Sequence, residues 1–95
     1  MKLNFNQSFK DFKGEAIVEN GKEKSISEMI ATLLFSGQGI TKNEDKLKAF
    51  SLSQRIYNAK SAIEITVEEA SMIKKVAESL SAGAYSQVIE IIEPK

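Results

Sequence analysis

The chain contains no cysteine. Disulfides, thiolate metal sites and cysteine nucleophiles are therefore excluded. It contains no histidine either, which removes the commonest metal ligand and the commonest general base near neutral pH. No charge of one sign dominates, because 13 basic and 13 acidic residues give a formal net charge of zero. Such a molecule carries no field that steers it to nucleic acid or to an anionic membrane. The apolar runs are only a few residues long, so nothing reads as a bilayer span. The opening residues MKLNFNQ lack the apolar stretch of a signal peptide, and the expected location is the cytoplasm.

What is present is an ordinary globular composition, 42% hydrophobic and 27% charged over 95 residues. That length suits one domain, residues 1–95, and is too short for two. The stretch from Asn43 to Ala59 organises the rest. At about 100° per residue, Lys48, Ser51, Arg55 and Asn58 form a narrow polar wedge. Leu47, Phe50 and Tyr57 point one way, and Ala49, Leu52, Ile56 and Ala59 point nearly the opposite way. A helix that is apolar on two sides needs partners on both. Phe50 and Ile56 are accordingly expected to be buried on opposite sides of it. Thr41 and Glu44 have capping-box spacing at its start, and Glu44 and Asp45 suit the positive end of the helix dipole.

The other elements follow from equally local signals. Leu3 and Phe5 alternate as in a short strand. Asp11 to Gly14 is a turn, and Glu15 to Glu19 reads as a strand. Asn20-Gly21 marks a tight hairpin, with Lys22 to Ile26 returning. Ser25 caps a helix whose Ile26, Met29, Ile30, Leu33 and Leu34 share one stripe, and Gly37 ends it. Ile63 to Ile65 alternates. Thr66 and Glu69 form another capping box, before a helix over about Val67 to Leu80. Ser81 to Gly83 interrupts, and a last helix over about Ala84 to Ile92 precedes Pro94. The five Phe and two Tyr are spaced as core residues. The fold class is α+β, mainly α: an N-terminal β-hairpin followed by about four packed helices.

No catalytic constellation emerges. The acid pairs Glu44-Asp45 and Glu68-Glu69 sit where helix starts want them, so capping explains them without catalysis. No Asp-x-Asp-x-Asp-Gly loop marks a hard-cation site. Gly37-Gln38-Gly39 precedes a helix, but the spacing of a phosphate loop is missing and helix termination accounts for it. No cofactor and no metal is called for. Lys48 and Arg55 on the wedge, with Lys46 and Lys60 nearby, are the candidate nucleic-acid residues, if the helix is read as a groove reader. The lack of basic excess favours a solvated face instead. Ile91 adds apolar surface beside Tyr85, Val88, Ile89 and Ile92 on the last helix. It is the candidate contact for a protein partner or a second copy, set against simple coverage of the hairpin.

Several features recur together: Asp11-x-x-Gly14, the Asn20-Gly21 hairpin, a helix ending in Leu33-Leu34, and Lys48-x-x-x-Leu52-x-x-x-Ile56. They continue with Ile63 to Glu69, Ile73-Lys74 and the terminal Gln87 to Ile92. In this order the chain resembles small proteins encoded by phages and prophages. The resemblance implies a mobile-element origin and a non-enzymatic binding or assembly role, and it implies no site residue. A nucleic-acid-binding regulator using the central helix is the alternative expectation.

Overall fold

The computed structural model describes residues 1–94. In chain order the elements are β1 (Lys2–Leu3), β2 (Val18–Glu19), β3 (Lys22–Glu23), α1 (Ile26–Ser36), α2 (Asn43–Asn58), β4 (Ile63–Glu64), α3 (Val67–Ala77) and α4 (Ala82–Ile92). The expected architecture, a hairpin followed by four helices, is what forms.

The hairpin turns where the sequence places it. Asn20 and Gly21 have φ of 52° and 78°, so both central residues are left-handed, as a type I′ turn requires. The strands are shorter than the expected spans of 15–19 and 22–26. The reason is that a third segment, residues 7–11, shares their hydrogen bonds. The Phe9 N–H donates to the Lys24 carbonyl, the Ile17 N–H to the Phe9 carbonyl, and the Ile26 N–H to the Gln7 carbonyl. Phe9 sits in this three-way weave and is buried. The outer side of Lys10 would be an open edge. Gln87 of α4 closes it: its Oε1 accepts from the Lys10 N–H at 2.8 Å and its Nε2 donates to the Lys10 carbonyl at 2.9 Å. A side-chain amide thus imitates a strand and blunts the edge.

Helix starts follow their side chains with one exception. The Ser25 hydroxyl accepts from the Glu28 N–H and opens α1, and Gly37 closes it at φ 66°. Thr66 and Glu69 complete a reciprocal capping box on α3. The Ser81 hydroxyl accepts from the Ala84 N–H, so α4 starts at Ala82 rather than Ala84. α3 ends at Ala77 rather than near Leu80. The exception is α2. Lys42 holds the extended N-cap conformation and no side chain caps the helix, so the expected Thr41 cap does not form. A Thr41 box would need Lys42 to be already helical.

Packing gathers these elements about one core. α1 lies against α2 and α3, and α3 lies against α4. Ile30, Ile65, Ile73, Ala77 and Val88 are completely buried. The brief extended segment at 63–65 finds its partner at the start of the chain: Leu3 pairs with Ile63 and Lys2 with Glu64, antiparallel. The Ile65 N–H donates to the Met1 carbonyl at 2.7 Å.

The expectation that all the aromatics are core residues is overturned. Phe5 and Phe9 are buried, and Tyr85 is half-buried. Phe12 is 98% exposed. The Asp11 carboxylate accepts from the Lys13 and Glu15 N–H groups, while its carbonyl accepts from Gly14. That tight Asp-centred turn carries Phe12 at its tip.

Gly21→Val tests the turn. A Cβ at Gly21 would meet nothing within 4 Å, so any loss reflects backbone conformation alone. The variant is expected to lose about 1–2 kcal/mol in chemical denaturation, the cost of forcing a side-chain-bearing residue into the left-handed region. An unchanged midpoint contradicts the I′ assignment.

Candidate functional site

α2 buries one face only. Ala49, Leu52, Ser53 and Ile56 point into the core, and the buried Ser53 hydroxyl is satisfied by the Phe50 carbonyl at 2.6 Å. The opposite apolar side, expected to meet a second inner neighbour, meets none. Leu47 is 72% exposed, Phe50 51% and Tyr57 62%. The expected burial of Phe50 is therefore corrected: α1 covers α2 from the core side and leaves the Phe50 side uncovered.

One large neighbour joins this stripe. Phe35, in the last turn of α1, is 65% exposed, and its ring centroid lies 5.8 Å from that of Phe50 at a 48° tilt. Such tilted pairs are favourable because ring edges are positive and faces negative. Farther along, Glu28 and Thr32 of α1 share a groove of about 240 Å³ with Gln54 and Tyr57 of α2. Low numbers on α1 thus meet high numbers on α2, and the two helices run antiparallel. The result is a continuous outer face, with Phe35, Leu47 and Phe50 toward one end and Tyr57 toward the other. Four exposed large apolar side chains grouped on one face form a patch of the kind that often marks an interaction site.

The candidate nucleic-acid residues are not brought together. Lys46 lies about 160° around α2 from Lys48 at the helical period, on the side of the apolar stripe. Lys48 lines a cleft of about 730 Å³ between the starts of α2 and α3. There Lys42, Lys48 and Lys75 are balanced by Asp45, Glu68 and Glu69. Lys60 follows α2 and its carbonyl accepts from the Asn6 side chain at 3.1 Å.

Arg55 is committed to structure. Its Nη1 meets Glu69 Oε2 at 2.5 Å, and its Nη2 donates to the Glu64 carbonyl at 2.6 Å. The expected solvated wedge residue instead ties α2 to β4 and α3. Glu69 serves the cap and the ion pair together. Partial burial pushes its carboxyl up, but the Thr66 N–H, the Arg55 guanidinium and the Thr66 hydroxyl outweigh burial and hold it below its ordinary value of 4.5.

Ile91 is half-buried and packs against the core beside Val88 and Ile92. Gly37 serves as the C-cap of α1, and Ile40 and Lys42 separate the glycines from the first turn of α2. Among the described residues, no three acidic side chains converge as a metal site would need. No helix among them is long and apolar enough to cross a membrane. No family model, no curated protein and no solved structure matches the chain.

The exposed stripe was missed as a site because its residues look like core residues. The signal was the two-sided apolar pattern of α2.

Two outcomes follow. Leu52→Ala is expected to cost about 2–5 kcal/mol, as buried leucine truncations do. Phe50→Ala is expected to cost less than about 1 kcal/mol, because it loses mainly the Phe35 contact. Equal losses in urea denaturation contradict the one-sided burial of α2.

Glu69→Gln tests the Arg55 link. A carboxylate whose pKa is lowered on folding adds stability above its unfolded pKa and loses it as pH falls through the folded one. The variant is therefore less stable than wild type at neutral pH, and the two converge well below pH 4.5. Arg55→Ala is expected to cost about 1 kcal/mol, since the pair is partly exposed. A constant gap between wild type and Glu69→Gln at every pH contradicts this assignment.

Proposed function

We propose that the chain is a non-enzymatic protein-interaction or assembly factor of a phage or mobile element, acting in the cytoplasm through the outer face of α1 and α2. The observation that carries this reading is the patch of Phe35, Leu47, Phe50 and Tyr57. Each is large, apolar and at least half exposed, while the opposite side of the same helix is closed into the core. Aromatic residues grouped on one rigid surface are the usual anchors of protein interfaces. α1 is capped at both ends and packed on α2 and α3, and Arg55 ties α2 to β4 and α3, so the face is presented by already folded helices. Glu69, Arg55 and Gln87 are engaged in holding elements together. The resemblance to phage-encoded proteins adds the expectation of a binding or assembly role.

The test is site-specific photo-crosslinking in the cells that make the protein. A photoreactive residue at position 50 is expected to give discrete protein adducts. The same residue at position 51, exposed on the polar wedge, is expected to give none above background. Equal yields at the two positions, or none at either, overturn the proposal.

A further inference from the structure

We infer that the occupant of this face is a second copy of the same chain, paired about a two-fold axis with the two α2 helices antiparallel. The inference rests on the reading of the face as an interaction surface and names what covers it.

The spacing of the stripe comes first. Leu47, Phe50, Gln54 and Tyr57 are separated by three, four and three residues. That is the alternation of a coiled-coil seam, a narrow stripe whose side chains fit between those of another helix crossing at about 20°. It runs about 15 Å along α2 at 1.5 Å per residue. Gln54 is the one polar position in the seam, and a polar seam residue fixes register. α1 lies alongside, so two copies stack helical hairpin on helical hairpin and form a four-helix layer.

Charge selects a second copy over an unrelated helix. Glu28 lies at the Tyr57 end of the face, where it shares the groove with Tyr57. Lys46 lies at the other end, next to Leu47 and in the helical sector of Phe50 and Tyr57. Both are exposed, and neither belongs to any of the ion pairs among the described residues. A two-fold interface must be complementary to itself. An axis crossing α2 at the level of Leu52 sets Leu47 of one copy against Tyr57 of the other. The same rotation sets each Lys46 against Glu28 of the other copy, twice per dimer. A parallel arrangement places Lys46 against Lys46 and Glu28 against Glu28.

The area is sufficient. At about 200 Å² for a side chain of this size, the exposed parts of Phe35, Leu47, Phe50 and Tyr57 amount to about 500 Å² per copy. Two copies bring about 1,000 Å² together before Thr32, Gln54 and the two charged residues are added. That meets the threshold of about 1,000 Å² for a biological interface and, below about 1,200 Å², belongs with weak, exchanging dimers.

Sedimentation velocity decides the matter. The wild type is expected to sediment as a dimer, and Phe50→Glu as a monomer with unchanged helical circular dichroism. Leu47→Glu serves the same purpose if Phe50→Glu is unfolded. Lys46→Glu and Glu28→Lys are each expected to weaken dimerisation about ten-fold, because each replaces two attractions by two repulsions. The combined charge swap is expected to restore dimerisation to within about three-fold of wild type, since it regenerates both pairs in reverse. A merely structural role for either charge would not be rescued in this way. The homodimer is overturned by a wild type that stays monomeric at its highest soluble concentration, by a dimer that survives both seam variants, or by a double swap no tighter than the single reversals. A monomeric wild type that still cross-links to other proteins at position 50 overturns the second copy alone. Absence of any adduct at position 50 overturns the interaction reading with it.

Discussion

The fold hinges on four residues, Ile63 to Thr66, where elements distant in sequence are forced to meet. Ile63 and Glu64 pair with Leu3 and Lys2 and draw the start of the chain into its middle. The Glu64 carbonyl receives the Arg55 guanidinium, which holds the end of α2 over the strand. Ile65 is completely buried, and its N–H is taken by the Met1 carbonyl. Thr66 caps α3 together with Glu69, the same carboxylate that holds Arg55. One short segment therefore pairs with the chain start, receives the Arg55 side chain of α2 and caps α3, while Ile65 fills the core. A buried segment is stable only when its polar backbone groups find partners. Here each partner is a different part of the chain, so the long-range order of the domain follows from that requirement.

This arrangement sets what α2 can offer. Burial of its inner residues and the Arg55 link to β4 and α3 together set the rotation of α2. Ala49, Leu52 and Ile56 are held inward, and the stripe through Phe50 is held outward. A chain of 95 residues has few elements with which to cover two sides of a helix. α1 covers the inner side and contributes Phe35 to the outer one. The apolar surface left over follows from the rotation of α2, and it lies on two helices packed against each other.

The N-terminal weave closes the domain on its other side by the same logic of pairing. Residues 7–11 lie beside the hairpin, and the amide of Gln87 seals their outer edge. The outer side of Lys10 is thereby closed to strand pairing. On the helical side, Phe35, Leu47, Phe50 and Tyr57 remain exposed.

By itself the sequence determined what depends on neighbours a few residues apart. The Asn20-Gly21 turn, the Ser25 and Thr66 caps, the stop at Gly37 and the buried stripes of α1 and α3 were legible because positive φ, hydroxyl-to-backbone bonds and helical periodicity act over three or four residues. The sequence also showed that α2 is apolar on two sides. Only the tertiary structure decided which side is inside. Burial of Ile56 and exposure of Phe50 depend on where α1, β4 and α3 stand, and nothing local to residues 43–58 encodes that. For the same reason Arg55 looked like a solvated residue: its partners lie nine and fourteen positions away, across a change of chain direction. Hydrophobic character says that a side chain leaves water. Which surface it leaves water for is settled by the rest of the fold, and for Phe35, Leu47, Phe50 and Tyr57 the domain itself supplies only part of that surface.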